Sequence, residues 1–447
     1  MKFFLLKMKV YGIKCIDKEV VLNFYNKTLQ EKLEISKSHV KAIYGTNGAG
    51  KTGIIYAVDI YRKLMLQQDY ITLGNSFSNN LFLNLINQKT HKFEIEMTFA
   101  LIDKKDTLKT VFTHKVVIEE DNGKFSLSEE KLIENSIKNV DLEKEIIFHV
   151  KKGEIELITN ACPDKETVKN LTMNLLQKQS FVNILFHNFF KNKNFKIDDK
   201  FNFAIIATQV FSANLTVVLQ DSDTNYIDFD AISSQYEWLG QIKDNIKDDA
   251  TFYQLLTQKR ITMNNTEKVY KNEFEEYKKD IEALCSFIKV FKNDLVNIEI
   301  KTEDNGDVYE CDNIMVYEDG KRINKKYEST GIKKIIQLYS ALCDIEHDKI
   351  VFIDEFDANI HDVLLVKLIQ YIVEYASGQF VFTTHNLAPM DVLQKYKHSI
   401  DFLSVDSKLV PWVKNGNRKA AFQYSKGLIE YSPFNLEPFN FLGVFGE

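Results

Sequence analysis

VKAIYGTNGAGKTGIIYAVDIY, residues 40–61, is the stretch on which the reading of this 447-residue chain turns. Inside it, Gly45-Thr46-Asn47-Gly48-Ala49-Gly50-Lys51-Thr52 is a complete G-x-x-x-x-G-K-[ST] string. An apolar run with β-branched members (Val40, Ala42, Ile43, Tyr44) precedes it, and a helix-forming run (Ile54, Ile55, Ala57, Val58, Ile60) follows. Strand, glycine loop and helix is the order that gathers backbone N–H groups around a phosphate at the positive end of a helix. Gly45, Asn47, Gly48, Ala49 and Gly50 are therefore expected to wrap a nucleotide. Lys51 is expected on its β- and γ-phosphates, and the Thr52 hydroxyl on Mg²⁺. ATP and Mg²⁺ are the expected ligands.

Three later segments fit the same chemistry. In DKIVFIDEFDANIHD, Ile350-Val351-Phe352-Ile353 has the continuous apolar character of a strand buried on both faces of a parallel sheet. It ends in Asp354-Glu355, and acids at the carboxyl end of such a strand border the ligand crevice. Asp354 is expected to hold Mg²⁺ through water, and Glu355 to act as general base on the attacking water. In GQFVFTTHNLAPMD a second buried strand ends at Thr383-Thr384-His385, placing His385 to donate to a γ-phosphate. In KKYESTGIKKIIQLYSALCDI, Ser329 is a good helix N-cap, and Gly331 clears the way for a ligand to approach the helix end.

Composition sets the limits. The chain is 45% hydrophobic, 27% charged and 12% aromatic, ordinary for a folded protein of two or three units. Lys165 to Ala388 contains no proline, so long helices and central strands can run unbroken. The net charge of −6 supplies no general field for nucleic acid or an anionic membrane, although a local basic groove is compatible with it. Five scattered cysteines without a Cys-x-x-Cys pair argue against a zinc site or a disulfide framework. The N-terminal MKFFLLKMKVYGIKCID is broken by Lys7 and Lys9, and reads as a strand rather than a signal peptide. No apolar run approaches the roughly 18 residues of a membrane span. A reduced, cytosolic setting is expected.

In order, these motifs resemble the ABC-type ATPase heads of SMC, RecF and related AAA-annotated bacterial ATPases, over residues 1 to 62 and 320 to 400. The resemblance implies an α/β head with a mixed sheet, an antiparallel β lobe and an inserted helical lid. It also implies that Ser329 and Gly331 close on a nucleotide held by Lys51 of a second copy, making an ATP-sandwich homodimer or a higher assembly. Asp357 lies where the family's dimer-contacting loop begins. His361 resembles a histidine of the overcoming-lysogenization nucleases. The signature reads Glu-Ser-Thr-Gly instead of a transporter's Leu-Ser-Gly-Gly-Gln, which suits stand-alone ATPases. Gln209 is one candidate among several for the family's glutamine loop. The chain is similar to ATPase subunits of PARIS-type, Septu-type and abortive-infection systems, which implies control of a separately encoded effector in anti-phage defence. A RecF-like repair clamp on duplex DNA is the alternative.

Residues 1–160 are expected to form the first half of the head with the β lobe, 161–295 the helical lid, and 296–447 the second half. Strand-like alternation runs from His91 to Asn160. Tyr270, Phe274, Tyr277, Ile281, Leu284 and Ile288 form a short heptad seam, either packed inside a compact lid or offered to a partner. The apolar, aromatic tail GLIEYSPFNLEPFNFLGVFGE, residues 427–447, is read as core packing, with a docking segment as the alternative.

Overall fold

A computed structural model describes residues 2–25, 38–76, 81–103, 105–139, 141–189, 199–219, 266–358, 360–396, 398–413 and 419–429. Residues 430–447 of the tail, and residues 190–198 and 220–265 of the expected lid, lie outside the described residues.

The chain opens with strands β1 (Lys2–Tyr11), β2 (Val20–Asn23) and β3 (Val40–Gly45), then helices α1 (Lys51–Leu66), α2 (Tyr70–Gly74) and α3 (Leu81–Leu85). A meander follows: β4 (Lys92–Ile102), β5 (Leu108–Asp121), β6 (Lys124–Asn135), β7 (Glu143–Lys151) and β8 (Glu154–Ile158). Helices α4 (Lys165–Thr172), α5 (Phe181–Phe189) and α6 (Lys200–Ala213) lead into β9 (Leu215–Val218). Next come β10 (Glu267–Tyr270), α7 (Phe274–Phe291), β11 (Leu295–Asn305), β12 (Val308–Tyr317) and β13 (Arg322–Asn324). The last part holds α8 (Thr330–Glu346), β14 (Ile350–Ile353), α9 (Asp362–Tyr375), β15 (Gln379–Thr383) and α10 (Met390–Leu393). It closes with β16 (Ile400–Leu403), β17 (Leu409–Pro411) and α11 (Ala420–Ser425).

These strands make three sheets. The order β2-β1-β4-β5-β6-β7-β8 is an antiparallel lobe, as the alternation after His91 predicts. The order β17-β16-β3-β15-β14-β9 is the nucleotide-type sheet, with every pair parallel except β17 against β16. A small antiparallel sheet holds β10, β12, β11 and β13.

The position of α1 explains its composition. It packs against α5 and α6 and against strands β3, β9 and β14, so it is buried around most of its circumference. Apolar side chains occupy nearly every turn, and its buried Asp59 is neutralised by Lys63 at 2.7 Å. β3 is tied to β16 by an ion pair between Lys41 and Asp401, 2.6 Å apart and both almost fully buried.

One expectation from sequence is corrected here, and one open alternative is decided. Residues 161–295 are not one helical lid: β9 is an edge strand of the parallel sheet beside β14, and α5 and α6 pack on α1 in the head's main core. A four-residue apolar strand inside a helical stretch carries no periodicity to reveal it. The heptad seam is an internal face: Tyr277, Ile281, Leu284 and Ile288 of α7 pack with Leu295, Met315 and the Ile332, Ile335 and Ile336 of α8. Its first member, Tyr270, ends β10 and is 51% exposed.

Candidate functional site: a phosphate loop beside an acidic strand end

β3 delivers the chain to the loop Gly45–Thr52 at its carboxyl end, and α1 begins at Lys51. Gly50 caps that helix with φ 104°, a left-handed conformation that favours glycine. A Cβ there would sit 2.7 Å from the Ile16 side chain, so the loop is also pressed against the first lobe. Lys51 is 6% exposed, and its ammonium donates to the carbonyls of Gly45 (2.9 Å) and Thr46 (3.1 Å). These bonds hold the lysine folded over the loop it would share with phosphate oxygens. Burial lowers its pKa, while the charges of Asp354, Glu355 and Asp357 pull it back up. Asn47 and Gly48 are exposed, Ala49 is buried and Thr52 is half-buried.

β15 lies between β3 and β14. The strands that carry the phosphate loop and the Asp354–Glu355 turn therefore run about 10 Å apart, with one strand between them. Asp354 is 3% exposed, and its Oδ1 accepts from the Thr383 hydroxyl at 2.6 Å. The same hydroxyl oxygen accepts the Glu355 N–H at 2.8 Å. Thr383 thus fixes both acids from the neighbouring strand, a role that sequence reading missed. The signal available was a fully buried threonine ending an apolar strand. Glu355 has φ 46°, a strained value for a residue with a side chain. His385 is exposed two residues beyond Thr383. Its partial desolvation, and then the Lys51 charge, lower its pKa, which favours the uncharged imidazole.

The residues fit a hard divalent cation. Thr52 and Asp354 offer oxygen donors, and Asp354 Oδ2 takes no described hydrogen bond. Mg²⁺ bound there would neutralise phosphate charge.

Ser329 and Gly331 open α8, with the Ser329 hydroxyl accepting from the Ile332 N–H at 3.4 Å. Ser329 is exposed, and no described contact joins it to the Gly45–Thr52 loop. His361 caps α9, its Nδ1 accepting from the Val363 N–H at 3.4 Å, an ordinary structural use. Gln209 is displaced from the site. It is 2% exposed within α6, and its amide donates to the carbonyl of Met65 at 2.8 Å. Met65 lies fourteen residues along α1 from Lys51, about 21 Å at helical rise. The strand that does reach the acidic turn from that side is β9, whose Val218 carbonyl accepts the Asp354 N–H at 2.9 Å.

This fold and site define a P-loop nucleotide-binding head with helical insertions. The profile of one family, "AAA domain, putative AbiEii toxin, Type IV TA system", matches residues 212–391, which hold β9, α8, β14 and β15 but not the Lys51 loop. No curated protein matches the chain. Solved structures similar to it include an Smc head domain from Pyrococcus furiosus with an extended coiled coil, bound to the C-terminal domain of ScpA. That likeness has 15% identity, covers 92% of this chain and 96% of that one, and has a TM-score of 0.40. An SMC head domain from Thermotoga maritima shows 13% identity, 93% and 100% coverage and a TM-score of 0.30. A Pyrococcus yayanosii Smc head with coiled coil and joint shows 11%, 92% and 97%, and 0.39. At such values the likeness bears on neither function nor partners.

Proposed function

We propose that the chain hydrolyses ATP between two copies of itself, and that this cycle controls a separately encoded effector in bacterial anti-phage defence. The observation that carries the hydrolysis reading is the set of Lys51, Asp354, Glu355 and His385 at the carboxyl ends of β3, β14 and β15. Lys51 holds the β- and γ-phosphates, Glu355 takes a proton from the attacking water, and His385 donates to the γ-phosphate. Gly331 supports the second copy. Glycine weakens a helix, by about 1 kcal/mol relative to alanine in its interior and by less near its start. Yet a Cβ there would meet nothing within 4 Å in its own chain. Close approach by a partner's nucleotide gives that glycine its purpose. Ser329→Arg is therefore expected to leave ATP binding intact and abolish ATP-dependent pairing, read by light scattering. Pairing at wild-type strength would refute the contact in trans.

The defence role is supported by the matched profile, whose description names a type IV toxin–antitoxin system, and by the Glu-Ser-Thr-Gly signature. Phage plating on cells carrying the native locus tests it. Lys51→Ala removes the phosphate cation, so ATP binding is expected to vanish and protection with it. A locus that changes no plating efficiency across a broad phage panel overturns the defence reading and turns attention to DNA-stimulated turnover. Cytoplasmic location belongs to the same proposal; among the described residues no helix is long and apolar enough to cross a membrane.

A further inference from the structure

Three buried polar atoms near the acidic turn lack a hydrogen-bond partner among the described residues: Lys334 Nζ, Asp357 Oδ1 and Tyr44 Oη. They come from three elements that meet at the carboxyl end of the parallel sheet. Lys334 lies one turn inside α8, which packs on β14 and β9, and only 9% of it is exposed. Asp357 is in the turn after Asp354-Glu355, and Tyr44 precedes the phosphate loop on β3. Leaving an ammonium and one carboxylate oxygen buried without hydrogen bonds is costly, and such groups call for a functional explanation.

The charges that act on these groups agree with that packing. Burial pushes the Lys334 pKa down, and the charges that push it back up are Asp354, Glu355 and Asp357, the same three that act on Lys51. Burial raises the Tyr44 pKa, and the Asp357 charge raises it further. The acidic turn thus faces two lysines, one from the phosphate loop and one from the helix that begins with Ser329 and Gly331. Lys51 has carbonyl partners in its own loop; Lys334 has no described one.

We propose that Lys334 is a positioning residue that closes onto Asp357 when ATP is bound, tying the N-terminus of α8 to the turn that carries Glu355. Resting on the ATPase reading above, this gives each copy a route from its own nucleotide to the Ser329–Gly331 end it offers the other copy. With phosphate and Mg²⁺ bound, Lys51 and Asp354 would be occupied and Glu355 would face the attacking water, which leaves Asp357 to take the second lysine. The ion pair then sets Glu355 and the helix end together.

The test compares wild type with Lys334→Met, Lys334→Arg, Asp357→Asn and the double variant Lys334→Met/Asp357→Asn, in ATP binding, steady-state turnover and nucleotide-free thermal unfolding. Methionine keeps the length and removes an unpaired buried charge, so the nucleotide-free unfolding temperature is expected to hold or rise. ATP affinity should stay within about twofold, while kcat falls about a hundredfold from misplacement of the base. Arginine should restore most of the loss, and the double variant should be no slower than the worse single one. Wild-type kcat in Lys334→Met, or a kcat loss accompanied by a lowered unfolding temperature, overturns the proposal. So does additive loss in the double variant. A wild-type protein that binds ATP without turning it over overturns the hydrolysis reading and this inference together, whereas normal wild-type turnover with an indifferent Lys334 removes this inference alone.

Discussion

Glu355→Gln is expected to bind ATP as tightly as the wild type and hydrolyse it about a hundred- to ten-thousandfold more slowly, the loss typical when a positioned general base is removed. The geometry makes the substitution clean. Glu355 is held through its backbone, whose N–H donates to the Thr383 hydroxyl, and that bond survives a side-chain change. The Thr383 hydroxyl also donates to Asp354, so the metal-side carboxylate keeps its place. Glutamine matches the glutamate in size but cannot accept a proton from water. Single-turnover hydrolysis with a parallel binding titration separates the two steps, and turnover at the wild-type rate would show that another group is the base.

The second large effect concerns the core that supports the loop. Glu130 of β6 is fully buried, and its carboxylate accepts from the Ser180 hydroxyl (2.8 Å) and the N–H groups of Phe181 (2.6 Å) and Val182 (3.3 Å) at the start of α5. The His114 ring, on β5, lies 3.2 Å from it through Nε2, and its Nδ1 lies 2.9 Å from the Tyr61 hydroxyl on α1. One assignment satisfies every group: Nε2–H donates to Glu130, and Tyr61 O–H donates to Nδ1. A single carboxylate therefore joins the antiparallel lobe, α5 and the helix that begins at Lys51. Glu130→Ala strands these donors in a dry interior and is expected to cost about 3–5 kcal/mol of stability. Scanning calorimetry should show a clearly lowered unfolding temperature, with Glu130→Gln lowered less because it keeps one acceptor. An unchanged transition in the alanine variant would remove the network from the account.

The parts of the site that a sequence can announce are those whose chemistry is contiguous. Residues 40–61 form strand, loop and helix in one run because backbone amides, lysine and hydroxyl must converge on one phosphate. Asp354-Glu355 and His385 were singled out because each follows a short, buried and mainly apolar strand, and such strands come from parallel sheets. What stayed hidden depends on partners distant in the chain. Thr383 earns its role only through the strand beside it, and Lys334 only through a turn twenty residues later. Gln209 looked suitable in an apolar setting, but its partner at Met65 lies 144 residues away in the chain, at the far end of α1. β9 was concealed because four buried residues between helices show neither a period of two nor one of 3.6. The seam from Phe274 to Ile288 was a true helical stripe, but spacing alone does not say which surface covers it; α8 and the small sheet do.

The central claim is that one chain holds half of each ATP site and that ATP joins two copies. Sedimentation of Glu355→Gln with and without Mg²⁺–ATP tests it directly, because slow hydrolysis preserves the joined state. The account predicts an ATP-dependent doubling of mass that is lost when Lys51→Ala or Ser329→Arg is added. A protein that binds ATP yet sediments at the same mass with and without it would contradict the account.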